Sequence, residues 1–161
     1  MKTTYEIHPI GTIHSGQDGF WLQLEPAFRP GLKQLDQFSH VNVFWWADQH
    51  DNQQSRSMLQ CEPPYAEGHV TGVFACRAEY RPNPIAVTTA RILSIDETNG
   101  VVHLGWIDAY DGTPLVDLKA YFPVCERVQE AHIPAWLSDW PEWMPEGEED
   151  VDSDWEPPAD C

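Results

Sequence analysis

Short runs of β-branched and aromatic residues, separated by turn signals, constrain the fold of this chain more than any other feature. Runs of this length and composition are typical of β-strands. Asn99-Gly100 and Asp111-Gly112 are residue pairs that favour tight turns between such strands. We therefore predict a mainly β fold, a β-barrel or curled sheet decorated by a few short helices. The strand candidates are 5–13, 20–24, 41–46, 69–75, 86–95, 101–107 and the run that follows Asp111-Gly112.

Helix signals are weaker and fall in three places. Residues 30–38 place Leu32, Leu35 and Phe38 on one helical face. Residues 51–60 form a second candidate, and residues 126–133 form a third that would close the domain.

Charge divides the 161 residues into two parts, and the net charge is −17. Residues 1–127 hold all nine Lys and Arg against 15 Asp and Glu, a balance of −6, whereas residues 128–161 hold 11 acids and no Lys or Arg, a balance of −11. Such a surface repels phosphate backbones, so the sequence offers no basic footprint for nucleic acid.

The same division suggests the domain organisation. We expect a barrel domain over residues 1–133 and a Trp-rich acidic arm over 134–161, disordered after about 145. Trp136, Trp140 and Trp143 are spaced for one helical face, although Pro141 interrupts a regular helix. We expect these indoles to pack on the body of the protein. The alternative is that the arm covers a dimer partner or a ligand pocket.

The sequence lacks a membrane-spanning run, a signal segment and closely paired cysteines. No apolar run approaches the roughly 20 residues of a membrane span, and the first residues lack the apolar core of a signal peptide. We therefore expect a cytoplasmic protein that does not contact a membrane. The four cysteines form no C-x-x-C pair, which predicts reduced structural thiols and no metal site.

Three stretches concentrate residue types that carry chemistry. In "RPNP", the two prolines hold Arg81 and Asn83 out of the helical region, so polar side chains stand on a rigid backbone. A second stretch surrounds the strand at 41–46, entered through Ser39-His40 and left through "DQHD". In the third stretch, strand alternation places Asp117, Lys119 and Tyr121 on one face. These three residues suit either a reaction centre or an exposed polar face with a Lys-Asp pair.

Together these stretches resemble the TsaA-like family, named TrmO for its tRNA-modifying members. "GVFACRAEYRPNPIA" matches the family's Gly-Val-Phe-Ala-Thr-Arg-Ser-Pro-x-Arg-Pro-Asn-Pro-Ile-Gly. "DAYDGTPLVDLKAY" matches Asp-x-x-Asp-Gly-Thr-Pro-hydrophobic-x-Asp-Ile-Lys-Pro-Tyr, and "FSH" precedes the central strand as it does in the family. The resemblance covers residues 5 to about 125.

The resemblance implies an S-adenosyl-L-methionine-dependent enzyme that methylates threonylcarbamoyl-adenosine next to the anticodon. It also implies a β-barrel with its cofactor pocket near a homodimer interface, which agrees with the lack of a Gly-x-Gly-x-x-Gly motif. Arg77 would pair with the methionine carboxylate, Val87 would offer backbone groups to the adenine, and a carboxylate in the turn from Asp108 to Asp111 would suit the ribose or the sulfonium. The implied cofactor-binding residues are Arg77, Val87, Asp108, Asp111, Asp48, Gln49, Arg81, Asn83 and His40.

Some positions depart from the family pattern. The family's Pro-Arg-Gln segment in the first loop is absent, and we expect "FRPGL" at 28–32 to occupy that neighbourhood. The histidine that ends the family's central strand aligns with Asp48, and His50 lies two residues further on. Ala86 and Ala120 replace a glycine and a proline.

The leading hypothesis is a methyltransferase that acts on a nitrogen of a modified tRNA nucleoside or a small molecule. Tyr121 or Asp117 would accept the proton, with Lys119 lowering the pKa of the phenol. Asp48 and His50 are the next candidates. Because the charge disfavours tRNA, we expect the acceptor to be small or a single exposed nucleoside. The alternatives are a non-catalytic binder of S-adenosyl-L-methionine or a nucleoside, and an interaction module whose acidic arm docks on a basic partner.

Overall fold

The computed structural model describes residues 3–144, and its strands close into a six-stranded antiparallel barrel with a two-stranded sheet beside it. The strands are β1 (Gly11–Gly16), β2 (Gly19–Leu24), β3 (His40–Trp46), β4 (Gln60–Cys61), β5 (Thr71–Gly72), β6 (Ile85–Asp96), β7 (Val101–Leu104) and β8 (Pro114–Ala120). The α-helices are α1 (Gln53–Ser57) and α2 (Pro123–Glu126), and 3-10 turns cover Arg29–Leu32, Leu35–Gln37, Asp48–His50, Val73–Ala75 and Ala135–Leu137. The barrel order is β1-β2-β7-β6-β3-β8, and β4 pairs with β5. The predicted mainly β barrel is confirmed.

Strand alternation explains where the core lies. In β3, Val41, Val43 and Trp45 point into the barrel and are buried, while their neighbours face outward. Val43 pairs with Thr88 of β6 on one side and with Leu118 of β8 on the other. Burial of each such aliphatic side chain stabilises the fold by about 1.5–3 kcal/mol. The buried side chains that fill the barrel include Ile13, Leu22, Leu24, Val41, Val43, Trp45, Ala90, Val102, Leu104 and Leu115.

Two glycines form the predicted turns. Gly100 has φ 72° at the β6–β7 turn and Gly112 has φ 85° before β8, a backbone conformation that favours glycine. Asp96 fixes the first of these turns, because its carboxylate accepts hydrogen bonds from the backbone and side chain of Asn99 at 3.0 and 2.7 Å. Both turn predictions are confirmed.

Four secondary-structure predictions need correction. Residues 3–10 form no strand, since pairing begins only at Gly11; the Tyr5 residue is accordingly 85% exposed. The 69–75 strand shrinks to β5, followed directly by a 3-10 turn. The 30–38 helix is two 3-10 turns, because Gln34 adopts a φ of 69° between them. The 126–133 helix does not form, because α2 ends at Glu126. The prediction at 51–60 is confirmed only over α1, Gln53–Ser57, because Gln60 already begins β4.

The described part of the arm contacts the body through its indoles. Trp136 stacks on His69 with ring centroids 5.8 Å apart, and Trp140 lies 5.1 Å from Tyr65. The predicted disorder after about 145 lies outside the described residues. Between residues 3 and 144, no helix combines the length and the apolar character that crossing a membrane requires.

Candidate functional site

One end of the barrel opens into a cavity of about 350 Å³, here called the barrel-end cavity. It lies where β1 and β3 end and where β8 begins. Its volume falls in the range of about 300–1,000 Å³ that small-molecule sites occupy. The lining residues are Ser15, Trp45, Ala47, Asp48, Gln49, His50, Glu79, Ile107, Asp108, Ala109, Tyr110 and Thr113.

The first wall of the cavity is the 3-10 turn Asp48–His50, which follows β3 directly. It is fastened to the proline-rich loop, because the Ala47 backbone N–H donates to the Pro84 carbonyl at 2.9 Å. Arg56 strengthens the same junction by donating from Nη1 to the Pro82 carbonyl at 2.9 Å and from Nε to Asp51 at 2.5 Å. These bonds hold the polar side chains of the turn at the cavity mouth.

Asp51 accepts two of the hydrogen bonds that hold this junction together. Its carboxylate accepts hydrogen bonds from Arg56 and from the indole N–H of Trp46, the latter at 3.0 Å. The hydrogen bond from Arg56, and then that from Trp46, hold the pKa of Asp51 below its usual value. The guanidinium of Arg56 also lies over the Trp46 ring, 5.5 Å from its centroid. Asp51 therefore helps to position the wall and does not itself line the cavity.

The second wall is the connection between β7 and β8, which carries Asp108 and Tyr110. Asp111 anchors this wall to the end of β1, because its Oδ1 lies 3.1 Å from His14 Nδ1 and accepts from the Ser15 backbone N–H at 3.2 Å. The Gly112 N–H donates to the Ile13 carbonyl at 2.9 Å. The end of the connection that precedes β8 is thus fastened to β1.

The electrostatics of the cavity are negative. Three carboxylates line it, those of Asp48, Glu79 and Asp108, and no Lys or Arg is among the lining residues. Although part of the Asp108 residue is exposed, desolvation raises the pKa of its carboxyl, and the negative charge of Glu79 raises it further. Asp108 is therefore a carboxylate whose charge is poorly compensated, and a cation in the cavity would compensate it.

Some predicted cofactor-binding residues meet here. Asp48, Gln49 and Asp108 line the cavity, and Asp111 supports it through Ser15. His50, the next catalytic candidate in the sequence, lines it as well.

The proline-rich loop places the other predicted residues differently. Arg81 donates to the carbonyls of Val73, Cys76 and Ala78 at 2.5, 2.8 and 2.9 Å, so its guanidinium braces its own loop. Pro84 is fully buried, whereas Asn83 is exposed. Arg81 thus braces its own loop in this structure, and the cofactor contacts predicted for Arg81 and Asn83 stay predictions.

Arg77 lies on the exposed side of the same loop and does not line the cavity. Its backbone forms a hydrogen bond to Tyr65. Glu79, two residues further along, reaches the cavity. A contact between Arg77 and a bound molecule that extends beyond the cavity stays a prediction.

The predicted catalytic residues share one face, but it is the outer face of β8. Lys119 Nζ lies 2.9 Å from Asp117 Oδ2 and 5.7 Å from the centroid of the Phe44 ring. Tyr121 packs edge-on against His40, with ring centroids 6.2 Å apart. The alternation of β6 puts Val87 on the same outer face, opposite Phe44.

The part of this outer face that carries Tyr121 is far from the barrel-end cavity within one subunit. Thr113 lines the cavity, and Tyr121 follows eight residues later along an extended strand, roughly 26 Å away at about 3.3 Å per residue. Leu118 and Ala120 point into the barrel between them. The predicted catalytic set, Val87 and His40 are thus not among the residues that line the barrel-end cavity of the same subunit. Asp117 instead lines a second cavity of the barrel.

Sequence reasoning missed several residues of the site. Tyr110 lines the cavity from a variable position of its motif, and Glu79 lines it from a position where the family motif has proline, so their neighbours in the motifs were the available signal. His14 supports Asp111 from β1, and no sequence signal joins positions so far apart.

The first-loop segment at 28–32 does not line the barrel-end cavity. Residues 28–32 follow β2 and line a second cavity, of about 450 Å³, at the opposite end of the barrel. The barrel-end cavity is bordered instead by the β1–β2 turn, where Gly16 pairs with Gly19. Within residues 3–144, no group of three or more His, Cys, Asp or Glu side chains is arranged to hold a metal ion.

Comparison with known proteins identifies the family of this chain. The model of the tRNA-methyltransferase O N-terminal domain matches residues 3–127, so the chain belongs to this family. A Pyrococcus horikoshii protein named a probable S-adenosyl-L-methionine-binding protein is 34% identical over 118 residues, which cover 73% of this chain and 82% of that protein. The Mus musculus protein named tRNA (adenine(37)-N6)-methyltransferase is 37% identical over 102 residues, 63% of this chain and 23% of that protein.

A solved structure gives the same result. TrmO from Pseudomonas aeruginosa superimposes with a TM-score of 0.63 at 28% identity, covering 81% of this chain and 61% of that chain. The chain thus spans most of the archaeal relative, about three-fifths of the solved TrmO chain and less than a quarter of the mouse enzyme. The predicted family is confirmed.

Proposed function

We propose that this chain is an S-adenosyl-L-methionine-dependent methyltransferase that methylates a nitrogen atom of a small molecule or a single exposed nucleoside. Membership of the TrmO family supports the reaction class, and relatives named as S-adenosyl-L-methionine-binding proteins support the cofactor. The observation that carries the proposal is the acidic barrel-end cavity, built from two segments that match the family's motifs.

The residues of the cavity fit this cofactor. Its sulfonium and its ammonium are both cationic, and the cavity presents the carboxylates of Asp48, Glu79 and Asp108. Trp45 and Tyr110 add aromatic surface, which attracts cations and stacks on adenine. Each carboxylate also has oxygens that can accept hydrogen bonds from a ribose diol.

The cofactor supplies an electrophilic methyl group. The chain has to hold the acceptor nitrogen in line with that group and to receive one proton. Asp108 is the candidate base, because a carboxylate with a raised pKa accepts a proton more readily than an ordinary one. The imidazole of His50 lines the same cavity and is the second candidate. Within one subunit, we therefore assign the role of proton acceptor to Asp108 or His50 and not to Asp117 or Tyr121.

We also propose a cytoplasmic homodimer. The outer face that carries Asp117, Lys119 and Tyr121 does not line the barrel-end cavity of its own subunit, and a partner subunit would be the route by which it could reach such a cavity. Light scattering on the purified chain measures its oligomeric state, and a monomer at all concentrations would contradict the homodimer.

Methyl transfer from labelled S-adenosyl-L-methionine into RNA, protein and small-molecule fractions of a cell extract tests the reaction. We expect label in the nucleoside or small-molecule fraction with the wild type and a much lower rate with Asp108→Asn. Glu97→Gln is the matched control, because this exposed acid lies in the β6–β7 turn and not in the cavity. Binding of the cofactor without labelling of any fraction would contradict the enzyme proposal.

That outcome would favour the second candidate, a non-catalytic S-adenosyl-L-methionine or nucleoside binder. The specific observation behind it is the tight β1–β2 turn, since the family's Pro-Arg-Gln segment is missing and nothing at 28–32 replaces it beside the cavity. Calorimetry with the cofactor separates both candidates from a pure interaction module, for which we would expect no binding heat.

A further inference from the structure

Cys61 and Cys76 bring their Sγ atoms to 3.5 Å from each other, although 14 residues separate them in the sequence. β4 ends with Cys61 and pairs with β5, so the chain turns back toward its own start. The 3-10 turn Val73–Ala75 then delivers Cys76 beside Cys61. Position 76 is also one where this chain has cysteine in place of the family motif's threonine.

The surroundings hold the two sulfur atoms together. Cys61 and Val73 belong to a small hydrophobic cluster next to the barrel, and Cys76 packs against it. Arg81 donates to the carbonyls of Val73 and Cys76, which braces the loop from the other side. The apposition of the thiols is thus supported by packing and by hydrogen bonds.

The two thiols differ in access to solvent. The Cys61 residue is only 8% exposed, whereas Cys76 is half-buried. An oxidant in solution therefore meets Cys76 first, and Cys61 lies directly behind it. This arrangement corresponds to an attacking thiol with a resolving thiol in contact, a pairing found at redox-sensitive cysteines.

We propose that Cys61 and Cys76 form a reversible dithiol–disulfide site that hydrogen peroxide oxidises. The Cys76 thiolate attacks one peroxide oxygen, so that an S–O bond forms, the O–O bond breaks and water is released after protonation. The Cys61 thiolate then attacks the Cys76 sulfur, so that the S–S bond forms and the S–O bond breaks, releasing a second water. The two thiols together lose two electrons and two protons, which hydrogen peroxide takes up.

The movement that this reaction needs is small. A disulfide bond measures about 2.05 Å, so the sulfur atoms must approach each other by about 1.5 Å from their present 3.5 Å. The resulting crosslink closes the segment that carries Tyr65, against which Trp140 of the arm packs. Oxidation would thus restrain the loop that ends beside Arg77.

Mass mapping of the full chain tests the site. In a Cys125→Ser/Cys161→Ser background, only the proposed pair remains. After treatment with one equivalent of hydrogen peroxide in native buffer, cleavage at Glu62 and Glu67 separates the two cysteines unless a disulfide joins them. We expect the joined peptides with a loss of two hydrogen masses, and their full separation after dithiothreitol. Native protein in which both thiols survive, or in which Cys76 is oxidised to sulfinic acid without a crosslink, would overturn the proposal.

A second variant tests the order of events. In the same background, Cys61→Ser should leave Cys76 as a sulfenic acid that dimedone labels, several-fold more than when Cys61 is present. Cys76→Ser should leave Cys61 almost unlabelled. Equal labelling of Cys76 with and without Cys61 would show that Cys61 does not resolve the intermediate.

Discussion

Substitution of Asp108 by asparagine is the most informative change to the barrel-end cavity. Asparagine has nearly the same shape as aspartate and keeps an oxygen acceptor, so the change removes mainly one negative charge. Asp108 is also the cavity acid whose pKa is raised, by desolvation first and by Glu79 second. We expect Asp108→Asn to bind S-adenosyl-L-methionine more weakly than the wild type.

The size of the effect follows from the position of the carboxylate. Two unit charges about 4 Å apart attract by about 4 kcal/mol at the effective dielectric constant of a protein surface. Because the Asp108 residue is partly exposed, solvent screens much of this attraction. We therefore expect a loss of about 1–2 kcal/mol, which is a rise in Kd of about 5- to 30-fold.

The pH dependence provides a second signature. The pKa of Asp108 lies above the ordinary 3.8, so its charge is lost at a higher pH than that of an ordinary aspartate as the solution is acidified. Wild-type affinity should fall as the pH drops through this raised pKa, whereas Asp108→Asn should lack that component of the pH dependence. Isothermal calorimetry across a pH series, with Glu97→Gln measured alongside, gives both comparisons.

Stability separates loss of binding from loss of fold. A carboxyl whose pKa is raised on folding opposes folding at pH values above the folded pKa, and this cost vanishes below the unfolded pKa. Asp108→Asn should therefore melt at the same temperature as the wild type or slightly higher at pH 7. Unchanged affinity in a folded Asp108→Asn protein, with an unchanged pH profile, would refute the assignment of the cavity as the cofactor site.

Three further outcomes are expected. Arg77→Ala should weaken S-adenosyl-L-methionine binding by about 1.5–3 kcal/mol if its guanidinium reaches the methionine carboxylate; calorimetry that gives the wild-type Kd would exclude that contact. Gly11→Ala should lower the free energy of unfolding in urea by about 1–3 kcal/mol or more, since a Cβ there would lie within 3.0 Å of backbone atoms of Gln23 and Leu24. Gly16 has open space around it, so Gly16→Ala should change the free energy of unfolding by less than about 0.5 kcal/mol. Bulk tRNA should bind weakly at physiological salt, and log K should fall with log salt concentration by a slope of about three units or less. The reason is that among Lys and Arg in residues 3–144 only Lys33, Arg77 and Arg91 lack an ion pair, a ring contact or a side-chain bond to a carbonyl. Submicromolar binding with a steep salt dependence would restore a tRNA acceptor.

The barrel could be predicted because its signals are local. Alternation in β3 and the turn residues at Gly100 and Gly112 each specify geometry within a few residues. The error at the N-terminus fell where the sequence pattern was right but no partner strand existed. Tyr5 and Ile7 alternate with polar residues as a strand would, yet they remain exposed because β1 pairs with β2 and β8 only from Gly11 onward.

The site could be predicted only in part, for a topological reason. Asp48 and Asp108 belong to different motifs, and the closed barrel brings them to one end. The same alternation that correctly grouped Asp117 with Lys119 gave no information on whether their face is inside or outside. That choice depends on Leu118 and Ala120, which fill the barrel and turn their neighbours outward.

The proline-rich loop shows why motif residues need not be ligands. Arg81 donates all of its described hydrogen bonds to its own loop, and the carbonyls of Pro82 and Pro84 accept from Arg56 and Ala47. Two rigid prolines hold those carbonyls in place without the entropy cost of ordering a flexible chain. The Asp48–His50 turn is therefore fixed by the loop next to it, and Glu79 enters the cavity from the same loop. The stiffness of "RPNP" acts on function through the wall that it positions, so a change at Arg81 should disturb both the loop and the cavity, whereas a change at Asp108 should disturb the cavity alone.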